Sequence, residues 1–261
     1  MITKEINAIF TIAFRDLIKL LRDRARVLSG FVFPFLFIGI LGSSLNATIG
    51  ENLGFNFLTF IFTGVFAQAL FQSSAAGVIS LVQDRENDFS QELFISPISR
   101  YSIILGKIFG ETLVAYVAGF GVLIFGFIIG VPLTLTQIAF LIPAGLAACF
   151  LGGAFGILVL SNISSQRTVA QIFPFVLFPQ IFLSGVFNPL IGLPPILAFF
   201  SRLTPLTYAV DLVRGAYYAK SPVFSQVVVF HPAVSLFITA ALFFLFLFLG
   251  TFLFVRKERN K

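Results

Sequence analysis

Charge is scarce in this 261-residue chain: 11% of residues are Asp, Glu, Lys or Arg, against about 25% in an ordinary soluble domain. With 58% of residues hydrophobic, water is excluded as the solvent for most of the chain. Tryptophan is absent, which leaves tyrosine as the only amphipathic aromatic available for a belt at the lipid–water interface. A single cysteine, Cys149, lies inside an apolar stretch. That excludes a disulfide framework or a cysteine metal site within one chain. The single histidine, His231, abuts Pro232 and has no acid cluster or nucleophile near it in sequence. It reads as an interfacial residue and not as a catalyst. Metal-ligand spacings and paired catalytic carboxylates are lacking too. The only Gly-Lys pair, Gly106 and Lys107, has Tyr101 and Ile108 where a phosphate-cradling Walker A loop requires Gly and Ser or Thr. The expectation is a chain that is not an enzyme and holds no cofactor or metal of its own.

What the sequence has in abundance is long apolar runs, rich in the 37 phenylalanines. A hydrocarbon core about 30 Å thick takes roughly 20 apolar residues at 1.5 Å rise each, so such runs can be counted as crossings. Six are expected, at Leu28 to Asn46, Phe57 to Val82, Ile103 to Gly130, Leu135 to Leu160, Val169 to Phe187 and Ala233 to Val255. A transmembrane β-barrel would show short alternating segments with a polar lumen face, whereas these runs are apolar on every face. The predicted fold is all-α: one polytopic transmembrane domain over residues 1–261.

Ahead of the first span, Ile6, Phe10, Ala13, Leu17 and Leu20 form one stripe of a helix, and Arg15, Lys19, Arg22 and Arg26 oppose it. This pattern predicts an amphipathic helix in the membrane interface over residues 1–27. A secretion signal is the rival reading, but its charged leader would be unusually long and no small-residue cleavage site follows cleanly. Basic residues in the N-terminal arm, in the segment between spans two and three, at Arg167 and in the tail from Arg256 to Lys261 put both termini on the cytoplasmic side. Arg167 itself reads as a positive-inside anchor. The net charge of +6 suits anionic lipid headgroups and not nucleic acid, because the basic residues sit beside spans. Glycines recur four apart at Gly106 and Gly110, Gly126 and Gly130, and Gly152 and Gly156, a spacing that lets helix backbones approach in lipid.

Two segments break the pattern. Residues 83–100 read QDRENDFSQELFISPISR, with charges on a short helix, Phe89 and Leu93 four apart, and Pro97 as the breaker. A solvated charged loop does not need an apolar pair among its charges, so Phe89 and Leu93 suggest a docking surface. Around residues 188–206, Pro189, Pro194, Pro195 and Pro205 interrupt an otherwise membrane-like run. That run is expected to enter the outer leaflet and turn back, its irregular backbone buried in protein. Beyond it, Asp211 and Arg214 are spaced to pair on a helix, as are Lys107 and Glu111 at the start of span three. Both are read as structural pairs.

With these residues in view, the chain resembles the ABC-2 type transporter permeases, the membrane subunits of type V ABC exporters. The strongest match is LSGVFNPL, then LPP, then TPLTYAVDLVRGA. RENDFSQELFISPIS is similar to the family's coupling segment, and FRDLIKLLRDRARVLSGFVFPF to its N-terminal connecting helix running into span one. The resemblance covers essentially the whole chain. It implies a dimer of six-span subunits in the cell membrane, from two copies or a close paralogue, each seated on a separate ABC ATPase subunit that binds ATP and Mg. Residues 84–97 would be the coupling helix, with Arg85, Glu86, Asp88, Phe89, Glu92 and Leu93 meeting the ATPase. Spans two and five would face the dimer axis, with Phe66, Phe71, Gln72, Phe175 and Phe182 as candidate path-lining residues. The implied function is ATP-driven export of a hydrophobic or amphiphilic substrate, a drug, lipid or similar, by alternating access. The alternative is a secondary transporter or channel without an ATPase. Its mark would be charges inside the spans, and only Lys107 and Glu111 come close.

Overall fold

The computed structural model describes residues 2–22, 32, 34–49, 54–82, 98–161, 163 and 165–259. Among these every regular element is helical. Helix α1 is Ile2–Arg22, and a π-helical stretch Phe35–Gly42 runs directly into α2, Ser43–Ile49. Helices α3 (Phe57–Gly77), α4 (Arg100–Ile128) and α5 (Leu135–Leu160) form the centre of the bundle. They are followed by α6 (Gln166–Leu183), α7 (Pro195–Leu203), α8 (Pro205–Tyr218), the short α9 (Phe224–Val227) and α10 (Pro232–Arg259).

By length and composition, four described helical segments can cross a membrane: Phe57–Val82, Arg100–Ile128, Leu135–Leu160 and Phe224–Arg256. The bent pair α7–α8 makes a fifth if taken as one span. The expected first span is described only in part, as the short apolar helix Phe35–Asn46. The expected fifth corresponds to α6. Its 18 residues include Gln166, Arg167, Gln171 and Gln180, and it falls outside the group of four.

Helix starts follow local chemistry. Asn56, Ser99, Thr134 and Ser165 each stand in extended conformation before α3, α4, α5 and α6, and each side chain accepts from a backbone amide of the first turn. This satisfies donors that have no intrahelical partner. Gly130, at φ +84°, lets the chain turn from α4 into α5.

Helix α3 is the hub. Most of its residues are buried and none is exposed; they pack against α4 on one side, α5 on another and α8 near its beginning. Two glycines set the distance to α5. A Cβ on Gly152 would collide with the Phe71 carbonyl, and one on Gly156 would stand 2.6 Å from the Ala75 carbonyl oxygen. The two backbones therefore touch along successive turns. Without a hydrophobic drive between helices in lipid, such close packing is what holds a bundle together. Gly106 and Gly110 serve a different neighbour: they seat α1, whose Ile9 and Ala13 Cα atoms would lie 3.1 and 3.0 Å from Cβ atoms placed there.

The apolar stripe expected on α1 does not share one environment. Ala13 is buried against α4 together with Ile12, which lies outside that stripe, whereas Ile6 and Phe10 of the stripe point outward, as does Phe14. Between α7 and α8 the chain bends by 89° at Thr204. Pro205 forces the residue before it out of helical conformation, and Thr204 is extended. The carbonyls freed at the end of α7 are taken up by side chains. Thr204 donates to Phe200 O at 3.0 Å, Thr207 to Ser201 O at 2.7 Å and Tyr208 to Arg202 O at 2.7 Å. Within the segment expected to turn back, 188–206, the regular part is α7, and the sharp break lies near its end.

Candidate functional site

The four acidic and basic side chains expected to interact, Lys107, Glu111, Asp211 and Arg214, lie in two buried clusters, one at each end of α3. The first sits where α3 finishes and α4 begins. Lys107, inside α4, has its ammonium 2.7 Å from Asp16 Oδ2 of α1 and 3.4 Å from Glu111 Oε1. All three side chains are at most 3% exposed. Asp16 also accepts from Arg15, at 3.2 Å, and Ser80, just past α3, donates to Glu111 Oε1 at 3.4 Å. The Glu111 carboxylate lies across Gly77, in space that any side chain at 77 would occupy. Buried charges are tolerated only when paired and hydrogen-bonded. Here the pairing joins α1, α3 and α4. Lys107 is thus neither free to reach water nor part of a phosphate loop.

Asp16 was absent from the residues singled out in the sequence. The signal for it is present: it stands four residues after Ile12 and three after Ala13, on the one face of α1 that is buried. A second clasp lies nearby, where the Glu5 carboxylate accepts from the Ser99 amide at 3.1 Å, at the very start of α4.

At the other end of the bundle, Asp211 and Arg214 of α8 do not pair with each other as expected. Both are buried, and each finds fixed partners elsewhere. Asp211 accepts from Val229 N at 2.7 Å, Phe230 N at 3.2 Å and Ser235 Oγ at 2.7 Å. It thereby fastens the beginning of α10. Arg214 donates to Gly185 O at 2.9 Å and Phe60 O at 3.3 Å, and its guanidinium lies 3.7 Å from the centre of the Phe60 ring. The reason is geometric. Buried donors and acceptors with preset positions satisfy each charge better than a flexible contact three residues along the same helix. Gly185, at φ +81°, presents the carbonyl that Arg214 takes. Gly64 lets the 186 backbone come so close that a Cβ there would stand 2.6 Å from Val186 O. Arg214 thus bridges the beginning of α3 and the turn that ends α6.

The candidate path residues separate into three groups. Phe66 and Phe71 are buried inside the subunit, Phe66 against Phe62 and Phe71 against Phe155. Within this chain α4 and α5 cover them. Gln72 is half-buried and accepts from Gln68 at 3.1 Å. Phe175 and Phe182 lie on the open face of α6, 82% and 65% exposed. An apolar cavity of about 250 Å³ lies beside Phe66, between α4 and α5, lined also by Tyr116, Phe120, Phe127 and Ile142. The candidate ATPase contacts Arg85, Glu86, Asp88, Phe89, Glu92 and Leu93 lie outside the described residues. His231 accepts from Ala233 N at 3.3 Å, in the first turn of α10. Among the described residues no three His, Cys, Asp or Glu side chains converge to hold a metal ion.

Long apolar helices packed through glycine seams, with buried charges held by fixed partners, define a multi-pass helical membrane protein. The model of the ABC-2 type transporter family matches residues 7–218, and the chain belongs to that family. It is a transport permease, the membrane component of a transporter. Its relatives include the Cyanophora paradoxa protein ycf38, named as a transport permease, 26% identical over 231 residues and covering 85% of this chain and 78% of that one. The inner membrane transport permease YadH of Escherichia coli K12 is 26% identical over 181 residues, 69% of this chain and 70% of its own. Nodulation protein J of Rhizobium meliloti is 23% identical over 196 residues, 73% of each.

Proposed function

We propose that this chain is the transmembrane subunit of an ATP-driven exporter that moves a hydrophobic or amphiphilic substrate, a drug, lipid or similar, out of the cytoplasm or inner leaflet. Two permease subunits, identical or closely related, alternate between inward and outward openings in the cell membrane. A separate ABC ATPase subunit, carrying ATP and Mg, drives them. In this reading the chain crosses the membrane six times with both termini cytoplasmic, residues 1–27 form the connecting helix, residues 84–97 the coupling helix and residues 188–206 the re-entrant segment. Membership of the ABC-2 family across residues 7–218 carries the proposal. The name of YadH, an inner membrane transport permease, supports the location.

Two observations favour this reading over a channel or secondary transporter. The interior charges Lys107 and Glu111 are held in a closed cluster with Asp16, whereas an ion relay needs groups that line a wet path. The open faces of the bundle are phenylalanine-rich, with Phe175, Phe178 and Phe182 exposed along α6, a surface suited to an apolar solute or to a second subunit. The deciding experiment is ATPase activity in lipid nanodiscs, for the chain alone and with the ATP-binding subunit that co-purifies from its native cell. Phe89→Asp combined with Leu93→Asp is expected to abolish that association while the permease stays folded. If no ATP-binding subunit associates, and the pure protein moves solute or ions down a gradient, the exporter reading falls and the channel or secondary-transporter reading replaces it.

A further inference from the structure

We infer that the Asp16–Lys107–Glu111 cluster is a pin that makes α1, the end of α3 and the start of α4 a single rigid lever. The described residues on either side of 83–97, up to Val82 and from Ser99 onward, are thereby carried by that one lever and not by independent helices. The source of the force rests on the proposed function; the pin itself rests on the geometry.

Residues 83–97 leave the end of the α3 segment at Val82 and rejoin the bundle at Ser99. Both of their anchor points are fastened to α1. On the rejoining side, Glu5 accepts from the Ser99 amide. On the leaving side, Ser80 donates to Glu111, and Glu111 pairs with the Lys107 ammonium that Asp16 also holds. Between these two clasps Gly106 and Gly110 bring the α1 backbone against α4, with Ile12 and Ala13 buried in the seam. An amphipathic helix that merely floated at the lipid surface would need none of this. It would keep its carboxylates in water, where exposed ion pairs contribute little. Asp16 is instead buried and turned into the protein. Sliding or lifting α1 separates buried opposite charges in a low-dielectric site, so small independent motions of α1 are opposed steeply while motion together with α4 is not. Stiff, discretely packed elements are what transmit a rigid-body displacement. Asp16 and Lys107 are in this sense positioning residues for transport.

The test uses pulsed EPR distances between spin labels at Phe10→Cys on α1 and Phe120→Cys on α4, both exposed side chains. The single native cysteine, buried Cys149, is replaced by serine. Distances are recorded in nanodiscs for the permease alone, for its complex with the co-purified ATP-binding subunit, and for the complex trapped with ATP and vanadate. The expected result is one narrow distance, unchanged among the three states. Lys107→Met loses the narrow peak. So does the triple variant Asp16→Asn, Lys107→Met, Glu111→Gln, which leaves no charge of the cluster buried and unpaired and is therefore expected to fold. The inference is overturned if the unmodified cluster shows a distance that shifts on trapping, because α1 then moves apart from α4. A narrow peak that survives in the triple variant overturns it equally. Failure of any ATP-binding subunit to associate defeats the proposed function alone, because the comparison of native and triple-variant clusters in the isolated permease still decides the pin.

Discussion

Asp211→Asn probes whether the fastening at the start of α10 depends on a carboxylate or only on a polar group of that shape. In the native site Oδ1 accepts from the Val229 amide at 2.7 Å, and Oδ2 accepts from the Phe230 amide at 3.2 Å and from Ser235 Oγ at 2.7 Å. Asparagine offers one carbonyl oxygen and one amino group. The cheaper orientation keeps the oxygen on Val229 and turns Ser235 into an acceptor, which leaves the amino group facing the Phe230 amide. One charge-assisted hydrogen bond is then lost, a loss of about 1.5–3 kcal/mol, and the site is left with opposed donors. Relief from burying a charge offsets part of this. The net expectation is a loss of about 2–3 kcal/mol, read by SDS titration or thermal unfolding of the purified protein in bicelles. Ser235→Ala in the asparagine background should cost less than it does alone, because the two residues share one network. A protein with Asp211→Asn that unfolds at the wild-type midpoint would refute the reasoning: the three donors would then not be held by the charge.

Gly156→Leu is expected to destabilise the bundle by about 1–3 kcal/mol, since its Cβ would stand 2.6 Å from the Ala75 carbonyl oxygen and α3 and α5 must part to admit it. Replacing exposed Phe140 by Leu, read in the same unfolding assay, should change little, and equal effects at 140 and 156 would refute a backbone seam. Phe66→Ala is expected to cost about 3–5 kcal/mol, because Phe66 is buried among α3, α4 and α5. Phe175→Ala, at a side chain 82% exposed in the subunit, should leave the stability of the isolated subunit within about 0.5 kcal/mol.

The membrane-spanning helices were legible because the signal is local. A long apolar run in hydrocarbon must satisfy every backbone group within itself, so it is helical whatever its neighbours do. The glycine spacings at 106, 110, 152 and 156 were legible for the same reason, as sites of close approach. Which helix approaches was not. Gly152 and Gly156 meet α3, but Gly106 and Gly110 meet α1, a helix that periodicity placed at the lipid surface. A single-stripe reading gives its apolar residues one environment, and only docking on α4 separates the buried ones from the exposed ones.

The buried charges mark the boundary most clearly. Spacing along one helix identifies a pair such as Asp211 and Arg214, but it cannot weigh that contact against the 229–230 amides or the Gly185 carbonyl. Those partners are distant in sequence and their positions are set by other elements. Lys107 likewise has Glu111 four residues away, yet its shorter contact is with Asp16, 91 residues off. Phenylalanine carries no directional information here, because 37 of them serve core, lipid face and subunit surface alike; packing alone put Phe66 and Phe71 inside and left Phe175 and Phe182 outside. Class, helix content and family were therefore written in composition, run length and local motif. The pairing of charges and the sidedness of each helix were decided by tertiary structure, since desolvation acts on a group only once the fold has chosen what surrounds it.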